Sequence, residues 1–185
     1  MKGYDEDFDQ MLFYLPLAGS TFKKVYYDAM RKQAVSKFVP ADDLLVPYSA
    51  TSLEDAETVM HVIKLSSNDI KKQQAAGFYR DVDLGTPAYF EEPLVAKERE
   101  LEGTKKTKPE DIFTLYECHT NLDLEGFEDV NPQTGEPTGI KLPYIVTIDS
   151  GSRSVLSIRR NYAPNDPTKK KIQYFVHFKF LPGLG

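Results

Sequence analysis

The spacing of apolar residues along this chain is mostly that of strands. The most regular alternation lies near the carboxyl end, where Ile172, Tyr174, Val176, Phe178 and Phe180 share one parity and Gln173, Phe175, His177 and Lys179 hold the other, which is mostly polar. Period two marks a strand with one apolar face, so a strand is expected over Ile172 to Phe180, resting on a core through its even-numbered side chains. Its neighbours are expected just upstream. Leu142 to Ile148 and Ser154 to Arg160 are two β-rich runs, joined by Asp149-Ser150-Gly151-Ser152, a cluster of turn formers suited to a short hairpin loop. These three runs predict a C-terminal β-meander as the framework for the rest of the chain.

Upstream, Phe8, Met11, Leu12 and Leu15 have helical spacing, so a short helix over Phe8 to Leu15 is expected to stop before Pro16. Phe22 to Tyr27 and Ala34 to Val39 read as a hairpin with a longer loop, Lys23 and Lys24 facing water at least in part. Pro40 to Asp43 reads as a tight turn leading to the apolar Leu44-Leu45-Val46. Thr51-Ser52-Leu53-Glu54 has the spacing of a capping box and suits one helical turn. Val59 to Leu65, rich in β-branched residues, predicts a strand. Ser66 or Ser67 caps a helix over Asn68 to Ala76, and Gly77 stops it. Its apolar face is weak, chiefly Ile70 with Ala75 and Phe78, which suits a surface helix.

A second helix is expected over Pro87 to Gly103, with Pro93 suited to its first turn and a narrow stripe of Leu94, Val95 and Leu101. Gly103-Thr104-Lys105-Lys106-Thr107-Lys108-Pro109 is a basic, breaker-rich linker and the clearest internal boundary. It divides residues 1–103, an N-terminal α/β segment with a hairpin and two helices, from residues 104–185, the linker and β-meander. The two are expected to form one compact domain. After the linker come a strand over Ile112 to Leu122 and a loop rich in Gly, Pro and Asn as far as Gly139. The order of elements predicts an α+β fold, mainly antiparallel sheet with a C-terminal β-meander and a few short helices.

Composition narrows the function classes. The 185 residues, 41% hydrophobic, suffice for one sizeable core. No apolar run approaches the roughly 20 residues that span a bilayer, and the acidic, polar start is unlike a signal peptide, so no membrane partner is expected. The one cysteine, Cys118, has no partner in the chain for a disulfide, which fits a reducing compartment. A net charge of −5 repels polyanions at long range and disfavours tight non-specific binding to a duplex. Both ends look cut, the last residues stopping in a turn-forming segment, and the chain is expected to be a piece of a longer protein.

Patterns with chemical potential are sparse. Ala18-Gly19-Ser20-Thr21-Phe22-Lys23-Lys24 lacks the second glycine and the Gly-Lys-Ser/Thr ending of a phosphate cradle, so it reads as a turn. His61, Cys118, His119 and His177 lack metal-ligand spacing, and strand alternation sends Cys118 and His119 to opposite faces. No metal or cofactor is expected. The acidic pairs Asp42-Asp43, Glu91-Glu92 and Glu128-Asp129 are accounted for by solvation, because an acid–base pair also needs burial to shift its pKa. No catalytic residue emerges, and the chain reads as non-enzymatic. Basic residues are the livelier case: Arg153, Arg159 and Arg160 on or beside the hairpin, with Lys169, Lys170 and Lys171 before the last strand, suit a cationic edge for phosphate or an acidic neighbour. A charged sheet edge that discourages unwanted strand pairing accounts for the same residues. Aromatic residues do not interleave with these lysines, which favours the second account.

Several segments together resemble one family. Phe13-Tyr14-Leu15-Pro16-Leu17-Ala18-Gly19-Ser20, Lys23-Lys24-Val25-Tyr26-Tyr27-Asp28 and Phe38-Val39-Pro40-Ala41-Asp42-Asp43-Leu44-Leu45-Val46-Pro47-Tyr48 resemble the portal proteins of tailed bacteriophages, particularly short-tailed phages and related prophages. In the same order, Leu142-Pro143-Tyr144-Ile145-Val146, Val155 to Tyr162 and Val176 to Gly183 look like later segments of that family. The likeness covers most of the chain and is thinnest from Asp81 to Pro109. It implies a structural component of the outer, wing-like body of a subunit in the ring at one capsid vertex, through which DNA is packaged and ejected. Implied partners are other portal subunits, the terminase, and capsid or tail-adaptor proteins, with DNA passing without sequence-specific binding. The implied location is the virion, with assembly in the cytoplasm of the bacterial host. The alternative is a nucleic-acid or peptide binding module that uses the basic sheet edge.

Overall fold

A computed structural model of the protein describes residues 4–28, 32–87, 111–131 and 133–180. From residue 88 onward, the expected Pro87 to Gly103 helix and the basic linker after it lie outside the described residues. Within them are two helices and eight strands in two antiparallel sheets, an α+β fold dominated by antiparallel sheet. The helices are α1 (Tyr4–Ala18) and α2 (Ser67–Ala75). The strands are β1 (Ser20–Asp28), β2 (Gln33–Val39), β3 (Leu44–Leu45), β4 (Val59–Ser66), β5 (Ile112–Leu122), β6 (Leu142–Asp149), β7 (Val155–Arg160) and β8 (Phe175–Lys179). One sheet has the order β2-β1-β8 and the other β3-β4-β5-β6-β7. By its internal contacts the chain forms two compact units, Met1–Val62 with Cys118–Ile145 and Arg159–Gly185, and Ile63–Glu117 with Val146–Ile158. Both units draw on chain from each side of residue 103.

In the first unit the hairpin pairs as expected, with Phe22 opposite Val39 and Asp28 opposite Gln33. Helix α1 runs past Pro16 to Ala18, where a stop before the proline was expected. Proline removes only its own N–H from the ladder, and the helix closes one turn later, where the Gly19 N–H donates to the Leu15 carbonyl at 2.9 Å and Gly19 takes φ 70. Asp7 fastens α1 to the hairpin by accepting from the Phe38 N–H at 2.6 Å and lying 3.6 Å from the Lys23 ammonium. Lys23, expected to face water, is therefore buried beneath α1, with its ammonium 5.1 Å from the centre of the Phe8 ring. The Thr51 to Glu54 capping pattern forms its turn one residue on: Ser52 Oγ accepts from the Asp55 N–H at 3.2 Å, and the Asp55 carboxylate accepts from the Thr51 and Ser52 hydroxyls at 2.9 Å. That turn carries Leu53 and Ala56 into a core with Phe22, Val39, Leu44, Val59 and Phe175.

The last strand departs most from its pattern. It pairs with β1, Lys23 lying opposite Val176, and has no place beside β7. The side chain it gives to the core is Phe175, of the supposedly polar parity, while Ile172, Val176 and Phe180 are exposed. The reason is geometric. The two faces of this sheet differ: one holds Phe22, Val39 and Phe175 on the core, and the other holds Lys23 under α1. A helix about 10 Å across covers about two strands spaced about 4.8 Å apart, and α1 packs on β1 and β2. On the even-numbered face of β8, Val176 stays exposed and Phe178 is half-buried.

The second unit is built on Leu115 and Leu156, both fully buried, with Ile70, Leu84 and Phe113. Burying each leucine contributes about 2 kcal/mol relative to leaving it exposed. Ser66 caps α2 reciprocally: its Oγ accepts from the Asp69 N–H at 3.1 Å and donates to the Asp69 carboxylate at 2.8 Å. Gly77, at φ 76, follows the helix end. Of the weak apolar face only Ile70 is buried; Ala75 and Phe78 are exposed.

Candidate functional site

The six basic residues are divided between the two units. Arg153 belongs to the second unit and stands in the β6–β7 turn at φ 58, its N–H donating to the Asp149 carbonyl at 3.0 Å. Asp149 shapes that turn by accepting from the Ser152 N–H at 2.6 Å and the Ser152 hydroxyl at 2.7 Å. Arg159 and Arg160, in the first unit, end β7 and are exposed. Lys170 is exposed as well, while Lys169 and Lys171 turn inward.

Lys169, at φ 49, pairs with the buried Asp129 carboxylate, which also accepts from the Thr138 hydroxyl at 2.7 Å. The Lys171 ammonium donates to the carbonyls of Ala56 at 2.7 Å and Leu53 at 3.3 Å. Burial holds its pKa below the ordinary lysine value, opposed by the nearby Asp55 and Glu54 carboxylates. The loop itself is gathered by Asp166, which accepts from the Thr168 hydroxyl at 2.7 Å and from the N–H groups of Thr168 and Lys170. Hydrogen bonds from Thr168, first from its hydroxyl, hold the Asp166 carboxyl below the usual range.

Lys169 and Lys171, with Lys141, line a cavity of about 480 Å³ in the first unit, and Glu54, Asp55, Glu57 and Asp129 line it too. Carboxylates in such number cancel the field three ammonium groups would set up for phosphate. A second cavity, about 540 Å³, lies in the second unit between α2 and residues 81–85, over Ile70, Leu84 and Phe113.

The histidines are placed by packing. His61 and His119 meet the Phe175 ring edge-on, at 5.6 and 5.1 Å between centres. Cys118 and His119 alternate in burial along β5, as expected. Among the described residues no group of three His, Cys, Asp or Glu side chains is placed to hold a metal ion. His177 stacks on Phe22 at 4.6 Å and its Nε2 lies 2.5 Å from Ser20 Oγ, tying β8 to the start of β1. Burial, and then the Lys179 charge, keep its pKa below the ordinary histidine value. The acidic pairs stay apart in role: Asp129 is buried against Lys169, whereas Asp42 is exposed, and Glu91 and Glu92 lie outside the described residues.

Sequence reasoning missed the Asp7–Lys23 pair, the Lys171 clamp and the Ser20–His177 contact. Each joins residues that only folding brings together, and no local spacing announces them. It also missed the outward side of α1, where Leu12, Phe13 and Leu17 are 48%, 67% and 71% exposed while Met11 is buried. Helical spacing of apolar residues was the available signal, but Phe13 and Leu17 lie off the Phe8, Met11, Leu15 stripe. No protein-family model matches the chain, and no curated protein matches it.

Proposed function

We propose that this chain is a structural, non-enzymatic module of a homo-oligomeric assembly, the wing-like body of a portal-type ring subunit as its sequence segments suggest. The observation that carries this reading is the row of large apolar side chains left outward on α1, a surface suited to another protein and unsuited to a polar ligand. The spending of Lys169 and Lys171 on internal contacts adds support, because it takes two of the six basic side chains from the rival nucleic-acid module. In this role terminase, capsid and tail-adaptor proteins are the further partners, and DNA slides past an acidic surface that does not hold it.

Mass photometry and negative-stain imaging of the 185-residue chain test the reading. One closed stoichiometry of several copies around a central channel is expected. A particle that stays monomeric, or closes as a dimer, at about 100 µM overturns it. A salt titration with a short duplex tests the rival: affinity that falls steeply with salt, starting from tight binding near about 0.1 M, favours that module.

A further inference from the structure

We propose that Lys169 and Asp129 join through an amide bond, a covalent cross-link between the loop that follows β5 and the loop that precedes β8. The proposal goes beyond the assembly reading and does not depend on it. Both residues lie in the first unit, as do the groups around them.

The Asp129 side chain is 9% exposed, and its Oδ1 is buried without a hydrogen-bond partner, yet the Lys169 Nζ is in contact with that oxygen. Contact without a hydrogen bond sets the pair apart from an ordinary lysine–carboxylate bridge, in which the N–H points along an oxygen lone pair. A nitrogen held against a carboxyl group in this way is near the carbon as well as the oxygen, which is the approach of an attacking amine.

The backbone on each side fixes that approach. The Thr138 N–H donates to the Asp129 carbonyl at 2.8 Å and its hydroxyl to Asp129 Oδ2 at 2.7 Å, while Val130 bridges to Pro137, so the carboxyl group is held in place. Lys169 takes φ 49, a conformation that residues with a Cβ keep only where their surroundings enforce it. Asp166 does so: its carbonyl accepts from the Lys169 N–H at 3.2 Å, and its carboxylate accepts from the N–H groups of Thr168 and Lys170.

The reaction is a condensation and needs no outside reagent. A proton passes from the ammonium to Oδ1, giving an amine and a carboxylic acid. Nζ then bonds to Cγ, the Cγ–Oδ1 bond breaks, and Oδ1 departs as water with a second proton from the nitrogen; nothing is oxidised or reduced. As the nitrogen adds, negative charge grows on Oδ2, where the Thr138 hydroxyl already donates. Burial of the carboxyl group penalises its charged form and limits the water that would reverse the reaction. Glu54, Asp55 and Glu57 line the same cavity as the pair and supply carboxylates for moving the proton. The product ties the loop before β8 to the first unit under salt and pH conditions that break an ion pair.

Intact-mass spectrometry of the denatured chain tests this. The parent is expected to weigh one water molecule less than its sequence, and its tryptic digest to contain a branched peptide linking Asp129 to Lys169. Lys169→Arg and Asp129→Ala are each expected to show the full sequence mass. Lys171→Met is expected to keep the loss, since the Lys171 ammonium meets peptide carbonyls and no carboxyl carbon. The parent's own mass decides the matter whether or not the variants fold. A parent that keeps its full sequence mass after prolonged incubation at neutral pH overturns the proposal. So does a loss of water without the branched peptide, because succinimide formation at any aspartate accounts for it.

Discussion

Replacing Lys171 by methionine keeps the length and apolar stem of the side chain and removes its ammonium group. That group donates to the Ala56 carbonyl at 2.7 Å and the Leu53 carbonyl at 3.3 Å, fixing the loop before β8 to a turn that reaches the first unit's core. A hydrogen bond to a charged group contributes about 1.5–3 kcal/mol, and the longer one of this pair adds little. Against this stands the desolvation that holds the Lys171 pKa down, a cost the neutral methionine avoids. The balance is a loss of about 1–2 kcal/mol, which for a chain of this size lowers Tm by about 2–8 °C. The neighbouring Lys170→Met change is the control, since that side chain is exposed and surface changes of this kind stay within about 0.5 kcal/mol. Circular-dichroism melts of the two variants and the parent, at one pH and salt, give the comparison. Equal melting temperatures for Lys171→Met and Lys170→Met would show that the ammonium clamps nothing, and would return Lys171 to the surface cluster read from the sequence.

Asp7→Ala removes the acceptor of the Phe38 N–H and the carboxylate beside the buried Lys23 ammonium, so urea unfolding should show a loss of about 1.5–3 kcal/mol, and a loss below about 1 kcal/mol refutes the pair's role. Gly19→Ala places a Cβ at φ 70, where space is open but the backbone is strained, so a cost of about 1–2 kcal/mol is expected in the same assay; no change would mean the end of α1 adapts. For His177 the folded pKa lies below the ordinary value of about 6.5, so the unfolded chain takes up the proton first as pH falls. Its stabilising contribution is complete above about pH 6.5 and declines as the pH falls to the lowered folded value. The stability gap between the parent and His177→Gln should therefore narrow from about pH 7.5 to about pH 5, and a constant gap removes His177 from the acid response.

Locally determined features were legible. The hairpin, the β5 run, the Ser66 cap and the Gly77 stop follow from alternation, turn chemistry and orphaned backbone groups, all decided within a few residues. Ile112 to Leu122 was placed to the residue because both of its ends are marked by polarity. The basic residues were legible one by one, but which of three successive lysines turns inward depends on Asp129 and on the Leu53 and Ala56 carbonyls, remote in sequence.

Strand β8 marks the limit between the two levels. Alternation established that Ile172 to Phe180 has an apolar parity, and the α+β character followed from many such runs. Which parity meets the core, and which strand lies alongside, depended on tertiary structure, since a sheet has two faces and period two is identical seen from either. Phe175 entered the core because Phe22 and Val39 lie on that side, and Val176 stayed outside because a single helix spans only part of the opposite one.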